Sequence, residues 1–98
     1  MPYQVASLKA LLEMLGDMPR VLVLGLEGLA ELDVRALQLI RLLAVRCHRG
    51  GTCLLIGGAE PQPRAMLAQA GLLDEIGPRN VFGRIREALV RARLCAGE

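Results

Sequence analysis

Aromatic residues are nearly missing from this chain of 98 residues: Tyr3 and Phe82 are the only ones, and there is no tryptophan. A core must then be built from leucine, valine, isoleucine, alanine and methionine. No row of rings is present on which the bases of single-stranded nucleic acid could stack, so no nucleic-acid partner is expected. Serine, histidine and lysine occur once each, as Ser7, His48 and Lys9. A serine-histidine-aspartate set is not suggested, because Ser7 lies in the first predicted helix and His48 near the end of another. The three cysteines, Cys47, Cys53 and Cys95, are odd in number and widely spaced, and they form no CxxC pair. With only His48 as a nitrogen partner, they give no readable zinc site. Cys47 and His48 are sequence neighbours on a helix and point in different directions, which argues against a nucleophile and its base. Carboxylates are scattered rather than paired. The expectation is no catalytic residue, no metal and no cofactor, with an interaction or regulatory module as the default class.

An excess of charge of one sign is missing too. The formal net charge is +2, although eleven of the twelve basic residues are arginines. Several arginines stand near acids at helical spacing, so solvated, ion-paired helix faces are read here in preference to a phosphate-binding surface. Long hydrophobic runs are absent as well, since crossing a bilayer takes about 20 apolar residues. The opening stretch from Met1 to Met18 contains Gln4, Lys9, Glu13 and Asp17, unlike a signal peptide. A soluble chain with reduced thiols in a reducing compartment is expected, which leaves open that it is one part of a larger membrane protein.

What is present is a chain that is 53% hydrophobic, enough for one domain over residues 1–98 with one core. Val5, Leu8, Leu11, Leu12 and Leu15 recur at helical spacing and predict a helix, ended by Gly16-Asp17-Met18-Pro19. Val21 to Leu26 is apolar on both faces, as a central strand covered by helices requires. Glu27, Gly28 and Glu31 interrupt it, and Asp33 is placed to cap the next helix through its carboxylate. That helix, Val34 to about His48, turns Ala36, Leu37, Ile40, Leu43, Ala44 and Cys47 inward. Arg35, Gln38, Arg41, Val45 and Arg49 mostly look away, and Leu39 and Leu42 are left on the flanks. Arg49-Gly50-Gly51 closes it, and Thr52 to Ile56 reads as a second buried strand. Gly57-Gly58 lacks the spacing of a dinucleotide fingerprint and reads as a tight turn. Pro61 and Pro63 suit a helix start, with a helix to Ala70, one more turn over Leu72 to Ile76, a very short strand Asn80 to Phe82, and a final helix from Arg84 to Leu94. The predicted order is α-β-α-β-α-β-α, which implies parallel strands with crossover helices.

Taken together, the Val21 to Leu26 run, the Asp33 loop, the helix ending at Gly50, the strand Thr52 to Ile56 and the segment from Pro61 to Ala92 resemble the STAS domain, shared by sulfate transporters and anti-sigma-factor antagonists. The most specific piece is the block Arg64 to Ala88, where L-x-x-A-G-L-L-D-x-I-G is followed by a short N-V-F strand and an E-A-L helix. The similarity runs from about Leu8 to Leu94 and is greatest to the cytoplasmic C-terminal STAS domains of SulP-type anion transporters. It implies an α/β, STAS-like mixed sheet with crossover helices. Such domains generally begin with further strand sequence, whereas only Met1 to Gln4 precede the first predicted helix here. A shortened N-terminal strand region and an unpaired sheet edge that invites dimer formation are therefore expected.

The resemblance also implies a function. In antagonists of the family the loop resembles D-S-S-G or D-S-T-G, and the hydroxyl after the aspartate is the phosphorylation switch. Here the loop reads Asp33-Val34-Arg35-Ala36, with no hydroxyl to modify, which favours the transporter branch. The expected role is a cytoplasmic regulatory and assembly domain at the inner face of the plasma membrane. It would touch the transmembrane domain of the same transporter, or another protein, through Asp33, Val34, Arg35, Gln38, Leu39 and Leu42. The alternative is a freestanding signalling protein similar to an anti-sigma-factor antagonist. A third implication is weak binding of guanine nucleotide, for which Gly57, Gly58, Arg35 and Arg64 are the candidate phosphate contacts.

Overall fold

Val21 to Leu26 is apolar at every position but Gly25, and a strand of that kind must be covered on both faces. In the computed structural model, which describes residues 3–7 and 19–97, it is. Strand β2 (Val21–Gly25) is the middle of a three-stranded sheet, between β1 (Tyr3–Ser7) and β3 (Cys53–Gly57). Both pairings are parallel, with Val5 opposite Val23 and Val23 opposite Leu55.

Alternation along β2 sorts its side chains between two cores. Leu22, Leu24 and Leu26 join Ala6, Leu54 and Ile56 on one face. That face is covered by α1 (Val34–Gly50) through Ile40, Leu43, Ala44 and Cys47, by α2 (Pro61–Gln69) through Leu67, and by α3 (Leu72–Ile76) through Leu72. Val21, Val23 and Leu55 point the other way, where α4 (Ile85–Cys95) presents Ala88 and Ala92, followed by Ala96. The β2 aliphatics are fully buried. Each contributes about 1.5–3 kcal/mol relative to exposure, which makes this strand the energetic centre of the domain.

The helix boundaries follow from local chemistry. Asp33 accepts a hydrogen bond from the Ala36 backbone N–H at 2.8 Å, as an N-cap does. At the other end Gly51 takes the left-handed conformation at φ 72°, and the Thr52 N–H returns to the Cys47 carbonyl at 2.8 Å. The Thr52 hydroxyl donates to the Pro19 carbonyl at 2.8 Å, fixing the entry to β3 beside the entry to β2. Pro61 opens α2 at a position where no amide hydrogen is needed.

Two expectations are corrected. The first helix was expected from Val5, but Val5, Ala6 and Ser7 belong to β1, and the remainder of that predicted segment, residues 8–18, lies outside the described residues. Ala6 is buried between exposed Val5 and Ser7, the period of a strand rather than a helix. The expected α-β-α-β-α-β-α order becomes β-β-α-β-α-α-α over the described residues, and a strand does occupy the place beside β2 that the shortened N-terminus was expected to leave unfilled. The second concerns Asn80 to Phe82. Pro78–Asn80 is a 3-10 turn, and Val81 makes one isolated parallel bridge to Ile56. The ladder there is limited to Phe82 N–H donating to the Ile56 carbonyl at 2.8 Å and Ala59 N–H to the Phe82 carbonyl at 3.0 Å.

Candidate interaction surface

The segment between β2 and α1 leaves the C-terminal end of the central parallel strand, where open α/β sheets place ligands and partners. It is held by alternate anchors. Leu26 donates its N–H to the Gly57 carbonyl at 2.8 Å, Leu29 returns to the Leu26 carbonyl at 3.1 Å, and Leu32 donates to Gln62 Oε1 of α2 at 2.8 Å. Leu26 and Leu32 are buried while Glu27, Gly28, Ala30 and Glu31 stay in solvent. The loop is thus a fixed platform that delivers Asp33 to the start of α1.

Of the six residues expected to meet a partner, five lie on the solvent side. Asp33, Val34, Arg35, Gln38 and Leu42 are exposed, and Leu39 is half-buried on the flank. Val34, Gln38 and Leu42 follow one another at i, i+4 and i+8, so they form a single row along the helix. Val34 is 65% and Leu42 68% exposed. The row is apolar at its two ends, polar in the middle, and flanked at its N-terminal end by Asp33 and Arg35. Arg41, expected to look away, lies in solvent but ties α1 to its neighbours: its guanidinium donates to the Ala70 carbonyl at 2.8 Å and stands 3.9 Å from Glu75.

The candidate phosphate contacts have other occupations. A Cβ on Gly57 would come 2.8 Å from Ile85 Cδ1, 2.9 Å from Ile85 Cα and 3.0 Å from Ala88 Cβ, so glycine is required for α4 to lie so near β3. Gly58, at φ 78°, faces Glu27 in the same way. Glu27 Oε1 accepts from the Ile85 N–H at 3.2 Å, placing a carboxylate at the start of α4 where an anion would otherwise be favoured. Arg64 Nη1 donates to the Val81 carbonyl at 3.1 Å, while Arg35 sits in the first turn of α1.

Glu27, Gln62 and Arg41 are the residues that sequence reasoning missed. Their bonds to Ile85, Leu32 and Ala70 span 58, 30 and 29 positions, so no local pattern announces them. Among the described residues no group of three or more histidines, cysteines, aspartates or glutamates is placed to hold a metal ion. No buried side-chain nitrogen or oxygen there lacks a hydrogen-bond partner.

Among the described residues, a parallel sheet with three helices on one face and one on the other, and an exposed helix start at the end of its central strand, defines an α/β domain of the open-sheet class. The chain belongs to the STAS domain family, whose model matches residues 4–88. Members of that family are non-catalytic regulatory modules. Among solved structures, a sulfate transporter family protein from Wolinella succinogenes superposes with a TM-score of 0.88 at 21% identity, covering 100% of this chain and 90% of that one. The SulP transporter STAS domain from Vibrio cholerae gives 0.82 at 23% identity, covering 95% and 82%. Both establish the same fold. A comparison with curated proteins finds no match.

Proposed function

We propose that this STAS domain is the regulatory and assembly domain of a SulP-type sulfate or other anion transporter, and that it acts by protein-protein contact through Asp33, Val34, Arg35, Gln38, Leu39 and Leu42. The reading is supported by family membership and by the likeness to domains described as belonging to sulfate and SulP transporters. The observation that carries the choice of surface is the exposure of Val34 and Leu42 in one helical row beside the capped Asp33 loop. Two large aliphatic side chains held in water on a rigid helix, next to charged groups, offer a partner apolar contact area with polar groups to fix its register. In this reading the domain sits in the cytoplasm at the inner face of the plasma membrane and its partner is the transmembrane domain of the same transporter, or another protein held there. No helix among the described residues is long and apolar enough to cross a membrane.

Fractionation of native cells with an antibody against this domain tests the assignment. Signal in the membrane pellet at a mass far above 10.6 kDa is expected. A small soluble species would overturn the transporter reading and leave the signalling alternative. Binding of guanine nucleotide loses support because Ile85, Glu27 and Val81 already occupy the contacts of Gly57, Gly58 and Arg64.

A further inference from the structure

The chain carries no cysteine motif, yet the fold brings two of its thiols together. Cys53 is the first residue of β3 and Cys95 the last of α4, and although 42 positions separate them, the Cys53 thiol donates to Cys95 Sγ at 3.9 Å. Cys95 is exposed and Cys53 half-buried, so solvent reaches one sulfur and the second lies directly behind it. The third thiol lines the same small cavity as Cys53 but packs into the other core. Cys47 packs into the core under α1, whereas Cys53 packs against the opposite core under α4. Burial, and next the neighbouring Cys53, push the Cys47 thiol up to about 11, so it stays protonated and inert near neutral pH.

We infer that Cys53 and Cys95 form a reversible dithiol-disulfide pair, a modification site for low-molecular-weight disulfides of the glutathione type. The Cys95 thiolate attacks one sulfur of the small disulfide, breaking its S–S bond, expelling one small thiolate and leaving a mixed disulfide on Cys95. Cys53 then gives its proton to solvent and attacks the Cys95 sulfur, expelling the second small thiolate. The two protein thiols lose two electrons, and one small disulfide becomes two small thiols. Burial disfavours the Cys53 thiolate, as do the charge of Cys95 and the hydrogen bond to it, so the exposed sulfur reacts first and the sheltered one resolves.

The consequence is mechanical. The bond joins the start of β3 to the end of α4 and closes a long loop, so it fastens α4 over Val21, Val23 and Leu55. It lies on the face of the sheet opposite α1 and leaves Val34 and Leu42 uncovered. It therefore does not depend on the partner assigned to that surface.

The experiment uses the full chain, equilibrated with reduced and oxidised glutathione at increasing oxidised fraction. Free thiols are counted, and alkylated peptides are mapped by mass spectrometry. The expected result is a fall from three free thiols to one, a single Cys53–Cys95 cross-linked peptide, alkylated Cys47, and a melting temperature higher by about 10 °C in the oxidised form. Cys47→Ala is expected to oxidise as the parent does. Cys53→Ser is expected to stop at a glutathione adduct on Cys95, which holds whether or not its stability falls. Three free thiols at the most oxidising ratio, a lasting Cys95 adduct in the parent chain, or a cross-link that includes Cys47 would each overturn the inference.

Discussion

Helices α1 and α4 lie on opposite faces of the same three strands, and they reach the sheet by different means. α1 fills its side with long side chains, Ile40 and Leu43 meeting Leu22, Leu24 and Ile56. α4 presents Ala88 and Ala92 and comes so near the strands that Gly57 has no room for a Cβ. The starts of the two helices differ as well. α1 is capped by its own Asp33, whereas Arg84 gives α4 no side-chain cap and Glu27, in the β2 exit loop, accepts from the Ile85 N–H. One helix is thus self-sufficient at its start and held by interlocking bulk, and the other is seated by close approach and a borrowed carboxylate. The loop that supplies that carboxylate also positions α1, so both helix starts hang on the segment from Leu26 to Asp33.

Truncating the bulky contact should cost most. Ile40→Ala removes a fully buried side chain and is expected to lower unfolding stability by about 3 kcal/mol in urea titration. A loss near that of a surface substitution would mean that α1 is not held by interlocking side chains. On the other face there is no large side chain of α4 to truncate at Ala88, and adding bulk is the sharper probe. Gly57→Ala should cost about 2 kcal/mol and lower hydrogen-exchange protection of the α4 amides more than of α1, because the new methyl meets Ile85 and Ala88. Equal loss on both helices would erase the contrast.

The thiol buried under α1 adds a pH signature. Its ordinary value is 9.0, and burial in the folded state pushes it up to about 11. The unfolded chain therefore releases this proton at lower pH than the folded one. The corresponding stability is intact below pH 9 and is lost as pH rises from 9 toward 11, amounting to about 1–2 kcal/mol. Urea midpoints measured across that range should slope downward in the parent chain and less steeply in Cys47→Ala, where the raised Cys53 thiol supplies the remaining slope. An unchanged slope would place the titrating group elsewhere.

Removing the caps should matter less. Asp33→Ala is expected to cost about 1 kcal/mol, with Asn retaining nearly all of the stability, since either side chain can accept from the Ala36 N–H. Glu27→Ala should act at the other helix and reduce protection at the start of α4. If Glu27→Ala loosened α1 instead, the borrowed cap would be incidental.

The sheet core and the helix that bears the candidate surface were legible because their signals are local. Val21 to Leu26 is a continuous apolar run, Asp33 precedes a 3.6-residue pattern, and Gly51 follows its end. The β1 strand was misread because Val5 fitted a helical series with Leu8, Leu11, Leu12 and Leu15, and five residues of strand offer too few alternations to outweigh it. Its stability comes from pairing with Val21–Gly25, a partner the local window does not contain. The same reason hid the proximity of Cys53 to Cys95 and the reach of Glu27 to Ile85. At the surface, helical periodicity puts Leu39 and Leu42 alike on the flanks, and only the structure separates exposed Leu42 from half-buried Leu39.

The smallest effect on folding is expected at Leu42, where an arginine should change stability by less than about 0.5 kcal/mol, so function there can be probed without unfolding the domain. The most direct measurement is photo-cross-linking in native cells from position 42 on α1, with position 90 on α4 as the control, since Leu42 and Val90 are both exposed aliphatics on opposite faces. The account predicts that position 42 captures a polytopic membrane protein, that position 90 does not, and that the adjacent change Val34→Arg weakens the capture at least tenfold. Capture from position 90 alone, or capture from position 42 of soluble proteins only, would contradict it.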